Sequence, residues 1–358
     1  METVFSVVNV VKIGAIGTVA FFVAFFLTPI WTKVLFKYRL GKQIRRANGN
    51  APIFESLHAK KEGTPTMGGV LIWFSVILLV FIFWLLAKIF PESQIAKFNF
   101  LSRGQTLLPL GVLIVSAVLG IIDDLLGILG TGEKHRGLKM KERLLLFTLV
   151  AIGGAWWFFF KLDWHSINIP FLGDFNVGLF YIPIFIFMIV ATAFSANETD
   201  GLDGLAGGVF LTMFAAYGAI AFVQQRMDLV TFIAAICGAL IAFLWHNIHP
   251  AKFFMGDTGS MSLGVTLGVI AMLTNSSLLL PIIGIIFLIE SGSVIIQVIS
   301  KKIRGKKIFI SSPIHHHFEA KGWPETKVTM RFWIISAISA IIGLIIFLVD
   351  SKIPPLIK

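Results

Sequence analysis

Residues 107–124 read LLPLGVLIVSAVLGIIDD, an apolar run that ends in two adjacent carboxylates, Asp123 and Asp124. The run from Leu107 to Ile122 has no charged residue, which predicts a helix in contact with lipid. Carboxylates near hydrocarbon are tolerated when they are hydrated, paired or bound to a cation. The pair is therefore either an ordinary helix end at the headgroup region or part of a functional site at the membrane surface.

The composition is that of a polytopic membrane protein. Of the 358 residues, 56% are hydrophobic and only 14% are charged, and the mean hydropathy is +0.87. The net charge of +11 invites comparison with nucleic-acid-binding proteins. Basic clusters between apolar runs are also what membrane topology requires, so we expect no nucleic-acid partner.

Ten apolar runs, each about the length of a membrane span, follow one another without a linker or an internal repeat. They lie near residues 13–35, 68–88, 107–126, 144–161, 179–196, 205–223, 229–246, 260–275, 279–300 and 331–349. We predict an all-α fold with about ten transmembrane helices in a single domain, residues 1–358. Gly264 and Gly268 form a small-xxx-small pair, which favours close helix packing over a functional role.

The distribution of Lys and Arg predicts the orientation in the membrane. With ten spans the connections alternate between the two sides, and one set of connections holds 22 of the 30 basic residues. That set comprises residues 33–67 with 8 Lys or Arg, 127–143 with 5, 248–259 with 1, 301–331 with 8 and 197–204 with none. The bias places this set in the cytoplasm and both termini outside, on the periplasmic side. The polar motifs described below all fall on the cytoplasmic set.

Two of these motifs combine glycine with acidic residues. The turn from Asn197 to Gly204 reads NETDGLDG, in which glycines allow close backbone approach and Asn and Asp supply acceptors. An ordinary tight turn and a calcium loop are the alternatives, but the glutamate that closes an EF-hand loop is absent. The second motif, Gly256-Asp257-Thr258-Gly259-Ser260, opens an apolar run. Its N–H groups suit a phosphate and its carboxylate suits Mg²⁺, although Asp and Ser are also common helix caps.

Two further motifs lie in basic loops. His315, His316 and His317 are consecutive, so they cannot all ligate one ion from a helix. They can donate to phosphate or sugar oxygens, or move a proton near neutral pH. Residues 63–69, GTPTMGG, follow Lys60 and Lys61, which can meet a diphosphate or serve only as cytoplasmic topology charges.

Together these motifs closely resemble the phospho-N-acetylmuramoyl-pentapeptide transferase family of the polyprenyl-phosphate N-acetylhexosamine-1-phosphate transferases. The resemblance covers nearly the whole chain, and the triple-histidine stretch is its most specific part. The matching stretches are GTPTMGG at 63–69, IIDD at 121–124, TDGLDGLA at 199–206, FMGDTGS at 254–260 and PIHHHFEAKGWPE at 313–325.

The resemblance implies transfer of phospho-MurNAc-pentapeptide from UDP to undecaprenyl phosphate in the bacterial inner (cytoplasmic) membrane, giving lipid I and UMP. It also implies Mg²⁺ as cofactor, a homodimer, and an active site on cytoplasmic loops 37–67, 124–143, 197–204, 247–260 and 301–330. By this resemblance Asp123, Asp124 and Asp257 are catalytic and metal-binding. The expected substrate-binding residues are Lys61, Lys141, Asn197, Asp200, Asp203, Asn247, Phe254, Ser260, Gln297, His315, His316 and His317. Within the acidic pair we predict a base role for Asp123 and support of the metal for Asp124.

The chain departs from the family pattern at two positions. Gly127 stands where many members have a lysine three residues after the second Asp. Lys134, Lys139 or Lys141 can supply that charge, and Lys141 is the best match. Glu198 adds a negative charge beside the 197–204 turn. Neither departure affects the three key aspartates.

Two other functions are weighed against this one. A sister transferase would use UDP-GlcNAc, and the stretch 313–325 argues against it. A transporter of lipids or nucleotides would place ionisable residues near the middle of its spans, and Glu290 is the candidate for that role.

Overall fold

A computed structural model describes residues 7–41, 61, 63–130 and 137–351. Helices account for most of these residues, as the apolar runs predict. The helices are α1 (Val7–Lys37), α2 (Val70–Ile89), α3 (Leu107–Leu129), α4 (Met140–Trp156), α5 (Tyr181–Thr199), α6 (Leu205–Val223), α7 (Met227–Asn247), α8 (Asp257–Leu273), α9 (Leu280–Ile283), α10 (Ile285–Arg304), α11 (Ile314–Ala320) and α12 (Glu325–Asp350).

Each of the ten apolar runs contains a helix, but two of these helices are unlike the rest. Within the described ranges, eight helices are long and apolar enough to cross a membrane. A ninth candidate is broken at Gly284, where the segment Ser277–Ile283 meets α10 at 82°. Helix α8 has 17 residues, about 26 Å at the usual rise, which is a little less than a hydrocarbon core. Helix α4 is equally short, but the chain continues from it as a π-helix, Trp157–Lys161, so that the apolar span covers Met140–Lys161.

Helix α8 is the centre of the bundle. Every residue from Thr258 to Leu273 is buried, as expected for a helix that is apolar on all sides. Its glycines allow close packing: a Cβ on Gly264 would lie 2.7 Å from the Cβ of Ala196, and one on Gly268 would lie 2.5 Å from Thr192 Oγ1. The packing function predicted for this glycine pair is therefore confirmed, with α5 as the partner helix.

Helices α3 and α8 also cross at a glycine. A Cβ on Gly120 would lie 2.4 Å from the Cα of Thr258, so only glycine permits this approach. Since Gly120 is one helical turn before the acidic pair, this crossing brings Asp123 and Asp124 to the beginning of α8.

Both described ends of the chain lie at one end of the bundle. Near the start of α1, the Nζ of Lys12 is 2.8 Å from the carbonyl of Asn99 and 3.2 Å from Asp228 Oδ1. At the end of α12, Asp350 accepts the N–H of Phe171 at 2.6 Å. The connections 89–106, 162–178 and 224–228 thus share an end with both described chain ends, as the alternation of spans predicts.

This end also contains a small structure that the apolar pattern did not predict. Strands β1 (Ser166–Ile169) and β2 (Gly173–Asn176) form an antiparallel hairpin in which Ser166 pairs with Asn176. In the described ranges the other regular elements are helices, apart from one isolated β-bridge between Gly41 and Pro65. The hairpin lies away from the predicted site residues.

Candidate active site

The predicted site residues meet at the other end of the bundle. Helices α3, α5 and α7 end there, and helices α4, α6, α8 and α12 begin there. Because the connections alternate, polar segments far apart in sequence become neighbours. Two clusters of charged side chains result, which we call the acidic cluster (Asp123, Asp124, Arg143, Asn197, Asp257) and the lysine cluster (Lys61, Asp203, His249, Glu325).

Asp124 connects α3 to the beginning of α8. Its Oδ1 accepts the backbone N–H of Asp257 at 3.1 Å, and its Oδ2 accepts that of Thr258 at 3.0 Å. These N–H groups have no partner within their own helix, so a carboxylate at this position acts as a helix cap. The capped helix begins with Asp257, which fixes the position of that side chain.

The backbone before Asp257 requires glycine. Gly256 has φ +77° and ψ 172°, a conformation that is essentially restricted to glycine. A Cβ there would lie 2.6 Å from Thr66 Oγ1 and 2.7 Å from Asp124 Oδ2. The Gly256 N–H donates to Asp200 Oδ2 at 3.1 Å, which joins the 197–204 turn to the beginning of α8.

Arg143, in the first turn of α4, lies between the carboxylates. Its Nε is 2.6 Å from Asp123 Oδ2 and its Nη2 is 2.9 Å from Asp257 Oδ2. Its Nη1 donates to Asn197 Oδ1 at 2.8 Å. One side chain thus contacts residues of α3, α5 and α8.

Arg143 is not among the site residues predicted from the sequence. It belongs to the basic residues that predicted the orientation. The positive charge that many family members carry three residues after the second Asp, where this chain has Gly127, was expected instead from Lys134, Lys139 or Lys141. Lys141 and Lys139 are exposed, and Lys134 lies outside the described residues. One sequence signal could have pointed to Arg143. It lies four residues after Lys139, which puts the two on the same face of a helix, so a site that a basic residue at 139 could face is also open to Arg143.

Asn197 completes this part of the site. Its Nδ2 donates to Asp257 Oδ1 and lies 3.4 Å from the hydroxyl of Ser260. Asp123, in addition, accepts the N–H of Leu138 through Oδ1 at 2.6 Å. The acidic cluster therefore contains all three predicted aspartates and, at its edge, Ser260.

The lysine cluster lies on the other side of the 197–204 turn. Lys61 Nζ is 2.7 Å from Asp203 Oδ1 and also contacts Glu325. His249 Nδ1 is 2.9 Å from Asp203 Oδ2, and the Asp203 N–H donates to Glu325 Oε1 at 2.6 Å. His249 and Glu325 were not predicted, because nothing in the local sequence connects either of them to Lys61.

Electrostatics favour an ionised Asp203. Burial on its own would raise the pKa of this carboxyl. The hydrogen bond and charge of Lys61 oppose burial, with further hydrogen bonds from the Ala251 N–H and His249, and the pKa is lowered from its usual value. The half-buried ring of Phe254 lies 5.7 Å from Lys61 Nζ, so a cation, acceptors and an aromatic face are available together.

Asn247 and Gln297 hold backbone segments in place. Asn247 Oδ1 accepts the Gly204 N–H at 3.0 Å and its Nδ2 donates to the Phe253 carbonyl at 2.8 Å. Gln297 Oε1 accepts N–H groups of Ile308 and Phe309 at 2.9 and 3.0 Å. Both amides thus shape the loops around the site. Their direct contact with substrate stays a prediction.

The three histidines point to different partners. His315 Nδ1 is 2.9 Å from Glu290 Oε2, with both side chains fully buried, and His316 Nδ1 is 2.7 Å from Glu319 Oε2. Burial and Lys321 lower the pKa of His317. Neutral His317 then accepts the Ile310 N–H through Nδ1 at 3.1 Å.

His315 is the histidine that lies against the 197–204 turn. A Cβ on Gly201 would lie 2.2 Å from His315 Nε2, so the imidazole touches the backbone between Asp200 and Asp203. Its partner Glu290 is therefore part of the scaffold of this site. That explains a buried carboxylate in α10 without a transport pathway.

The acidic cluster suits a divalent cation. Its donors are carboxylate and amide oxygens, which Mg²⁺ prefers, and the guanidinium between Asp123 and Asp257 marks a place where these oxygens accept positive charge. Asp203, His249 and Glu325 also have ligand atoms within 4.8 Å of one another, but Lys61 already contacts both carboxylates there. The acidic cluster is the better candidate for Mg²⁺.

Comparison with known proteins agrees with this geometry. A family model described as glycosyl transferase family 4 matches residues 106–275, and a phospho-N-acetylmuramoyl-pentapeptide-transferase signature matches residues 61–72. Relatives of that name include one from Chloroflexus aggregans, 38% identical over 91% of this chain and 88% of the relative. A Clostridium perfringens relative is 39% identical over 96% of this chain and 99% of its own, and one from Anoxybacillus flavithermus is 38% identical over 91% and 95%.

The chain belongs to the phospho-N-acetylmuramoyl-pentapeptide-transferase family. It is a bacterial integral membrane protein with many apolar helices. The signature begins at Lys61, and the family model includes the acidic cluster and Asp203. The histidine segment 313–325 lies beyond both matches but within the alignment to the relatives as a whole.

Proposed function

We propose that this protein transfers phospho-MurNAc-pentapeptide from UDP-MurNAc-pentapeptide to undecaprenyl phosphate, giving lipid I and UMP. This is the first membrane step of peptidoglycan synthesis. The observation that carries the proposal is the position of Asp257, at the beginning of α8, where Asp123, Asp124 and Asn197 converge. Phosphoryl transfer depends mainly on positioning and charge neutralisation, which such a cluster supplies.

The two clusters suit the two parts of a nucleotide-sugar donor. Lys61, Asp203 and the face of Phe254 offer a cation, acceptors and a stacking surface for the uridine. The acidic cluster then lies at the diphosphate. Asp200 contacts the beginning of α8 and Asp203 contacts Lys61, so a single turn of chain sets the spacing between them.

Mg²⁺ fits the acidic cluster, with Asp257 as its principal ligand and Asp123 and Asp124 beside it. When bound, it would neutralise charge on the donor diphosphate and the lipid phosphate. The N–H groups at the beginning of α8 already have protein partners: those of Asp257 and Thr258 donate to Asp124, and those of Gly259 and Ser260 donate to the Gly256 carbonyl. The phosphate-binding role expected for them from the sequence therefore falls to side chains.

Of the three histidines, the partly exposed His317 is the one that can contact phosphate or sugar oxygens. His315 and His316 are buried against Glu290 and Glu319 and shape the segment next to the turn.

The reaction breaks one P–O bond and forms another. An oxygen of the lipid phosphate attacks the sugar-linked phosphorus of the donor. The bond from that phosphorus to the UMP oxygen breaks, and its electron pair leaves with UMP. We propose that Asp123 accepts the proton of the lipid phosphate when that phosphate is protonated, its second pKa being near 6 by analogy with phosphorylated side chains.

A membrane-bound acceptor explains the location of the site at helix ends. We propose ten spans, with the bent Ser277–Arg304 segment and α8 as the two irregular ones, both termini outside and the site facing the cytoplasm. The charge bias supports this orientation. We also propose a homodimer, as the resemblance implies, and sedimentation of the purified protein in detergent gives the mass that tests it.

Release of UMP by purified protein tests the proposed function. We expect release from UDP-MurNAc-pentapeptide only when polyprenyl phosphate and Mg²⁺ are present, and none from UDP-GlcNAc. Turnover of UDP-GlcNAc in its place would favour the sister transferase. Uptake of nucleotide or lipid by vesicles without any UMP release would favour a transporter and contradict the proposal.

Asp257→Asn tests the residue on which the proposal depends. The substitution is nearly isosteric and removes metal-binding charge without removing packing, so we expect a folded protein with turnover reduced by at least about a thousandfold. Substantial activity at saturating Mg²⁺ would rule out the assigned role.

A further inference from the structure

The positively charged side chain of Arg143 lies between two carboxylates of the acidic cluster. Its guanidinium contacts Asp123 Oδ2 at 2.6 Å and Asp257 Oδ2 at 2.9 Å. The two carboxylates come from different helices, and this side chain contacts both of them. A divalent cation held by these carboxylates would compete with Arg143 for their oxygens.

We propose that Arg143 is a built-in counter-cation and positioning residue. In the substrate-free protein it holds Asp123, Asp257 and Asn197 together, and it releases a carboxylate oxygen of Asp257 when a divalent cation binds. This inference rests on the proposed function, since it concerns the same site. The proposed function assigns residues that bind the metal. This inference adds Arg143, a residue that competes with the metal for the same carboxylates.

The contacts of Arg143 distinguish it from a surface cation. The side chain is 13% exposed, and its Asp123 partner is fully buried. Its three contacting nitrogens reach residues of three different helices. A planar guanidinium has five N–H donors in a fixed fork, so it can bridge three acceptors at once, whereas an ammonium group is a compact point charge.

The same contacts leave donors available after a cation binds. Of the five N–H groups, two donate hydrogen bonds, to Asn197 and Asp257, while Nε lies in an ion pair with Asp123. When the Asp257 contact opens, Nη2 can turn toward anionic oxygen that enters the site while Nε keeps its ion pair with Asp123. Arg143 therefore stays bound to Asp123 both before and after the cation binds, as expected of a positioning residue.

Manganese binding by the substrate-free, full-length protein in detergent tests the competition. Mn²⁺ serves as the probe, and free Mn²⁺ is measured by electron paramagnetic resonance. In Arg143→Gln the competing charge is absent, so we expect Mn²⁺ to bind roughly tenfold or more tightly than in the wild type. Arg143→Lys keeps the charge but loses the fork, and we expect about a threefold effect in the same direction.

Lys301→Gln is the matched control, because it removes one exposed basic charge at the end of α10 without a contact to the cluster. We expect its Mn²⁺ affinity to equal that of the wild type. Equal or weaker Mn²⁺ binding in Arg143→Gln, or a gain no larger than that of Lys301→Gln, overturns the proposal. If Arg143→Gln does not elute as a monodisperse protein, Arg143→Lys decides, and wild-type affinity in that variant overturns it.

This readout is independent of the transfer reaction. Both variants should also turn over more slowly, by about tenfold or more, because the carboxylates are no longer held in position. Loss of UMP release from the wild type with competition for Mn²⁺ intact would reject the proposed function and leave the role of Arg143 standing. If the wild type releases UMP but Arg143→Gln binds Mn²⁺ as the wild type does, the proposed function stands and the role of Arg143 is rejected.

Discussion

Asp123 and Asp124 are adjacent in the sequence, but their carboxylates have different partners. Asp123 forms an ion pair with Arg143, whereas Asp124 accepts two backbone N–H groups at the beginning of α8. Adjacent residues on a helix point about 100° apart, so one pair of acids can serve two helices. This difference in partners predicts different consequences of losing each carboxylate.

We expect Asp124→Asn to lower thermal stability as well as activity. An amide NH₂ would face the N–H of Asp257 or Thr258, and a charge-assisted hydrogen bond of this kind contributes about 1.5–3 kcal/mol. Unfolding temperatures in detergent measure the effect, and Asp163→Asn, on an exposed side chain at the other end of the bundle, is the control. Wild-type stability together with recovery of turnover in excess Mg²⁺ would contradict the capping role and favour a purely metal-supporting one.

The lysine cluster leads to a pH-dependent prediction. The pKa of Asp203 is lowered in the folded protein, so its ion pair stabilises the fold above the unfolded pKa of about 3.9, and this contribution is lost as pH falls through the lower folded pKa. We expect Asp203→Asn to be less stable than the wild type by on the order of 1–3 kcal/mol at pH 7. The difference should shrink toward zero below about pH 4. Unfolding temperatures from pH 7 to pH 3 measure it, and a difference that does not change with pH would argue against the ion pair.

Side chains also mark how far the sequence can predict the site. The aspartates, Asn197 and Lys61 were predicted because each lies in or beside a short polar motif on the basic side that resembles a motif of the transferase family. Arg143 was not, since Lys141 precedes it by two residues and such residues point about 200° apart on a helix. The rotation of α4 decides which of the two faces the cluster, and that rotation is set by packing. Glu325 and His249 join the lysine cluster only through tertiary structure, Glu325 by its contact with Lys61 and His249 by its contact with Asp203.

At the scale of helices, the burial of α8 organises the site. Every residue from Thr258 to Leu273 is buried, so the first N–H groups of this helix need protein partners. Asp124 supplies them for Asp257 and Thr258. Gly256 makes this arrangement possible, because its backbone conformation and its contact with Asp124 both exclude a side chain.

We expect Gly256→Ala to abolish activity and destabilise the protein. The backbone strain costs about 1–3 kcal/mol, and the new methyl group would displace Thr66 or Asp124. Gly111→Ala is the control, since Gly111 lies within α3 and a Cβ there meets nothing within 4 Å. That control should be neutral or slightly stabilising. A fully active Gly256→Ala protein would mean that α8 can begin elsewhere without moving Asp257.

The regular helices were predictable from the sequence, whereas the bend near Gly284 and the β-hairpin were not. Long uncharged runs predicted the regular helices well, because contact with lipid leaves few alternatives for a polar backbone. The 82° bend near Gly284 and the hairpin between Ile167 and Phe175 were not predicted. A helix broken at a glycine has the same hydropathy as a straight one, and four-residue strands are too short for an alternating pattern to stand out.

At the scale of the whole molecule, the topology explains why one end carries the chemistry. Successive connections alternate between the two ends of the bundle, so the polar motifs, which lie on every second connection, meet at one end. The structure brings these motifs into contact at one end of the bundle and places Val7 and Asp350 toward the other. The sidedness of that arrangement in the membrane is the part that a labelling experiment can test.

Cysteine labelling in intact spheroplasts tests the proposed orientation. In a Cys237→Ser background, which removes the single cysteine of the chain, Asp163→Cys lies at the end shared with the described termini and Lys321→Cys lies at the site end; both positions are exposed. With Asp163 outside and Lys321 inside, a membrane-impermeant maleimide should label Asp163→Cys in intact spheroplasts. It should label Lys321→Cys only after the membrane is permeabilised. The reverse pattern would place the basic loops outside, against the charge bias, and a cytoplasmic nucleotide donor could not then reach the acidic cluster.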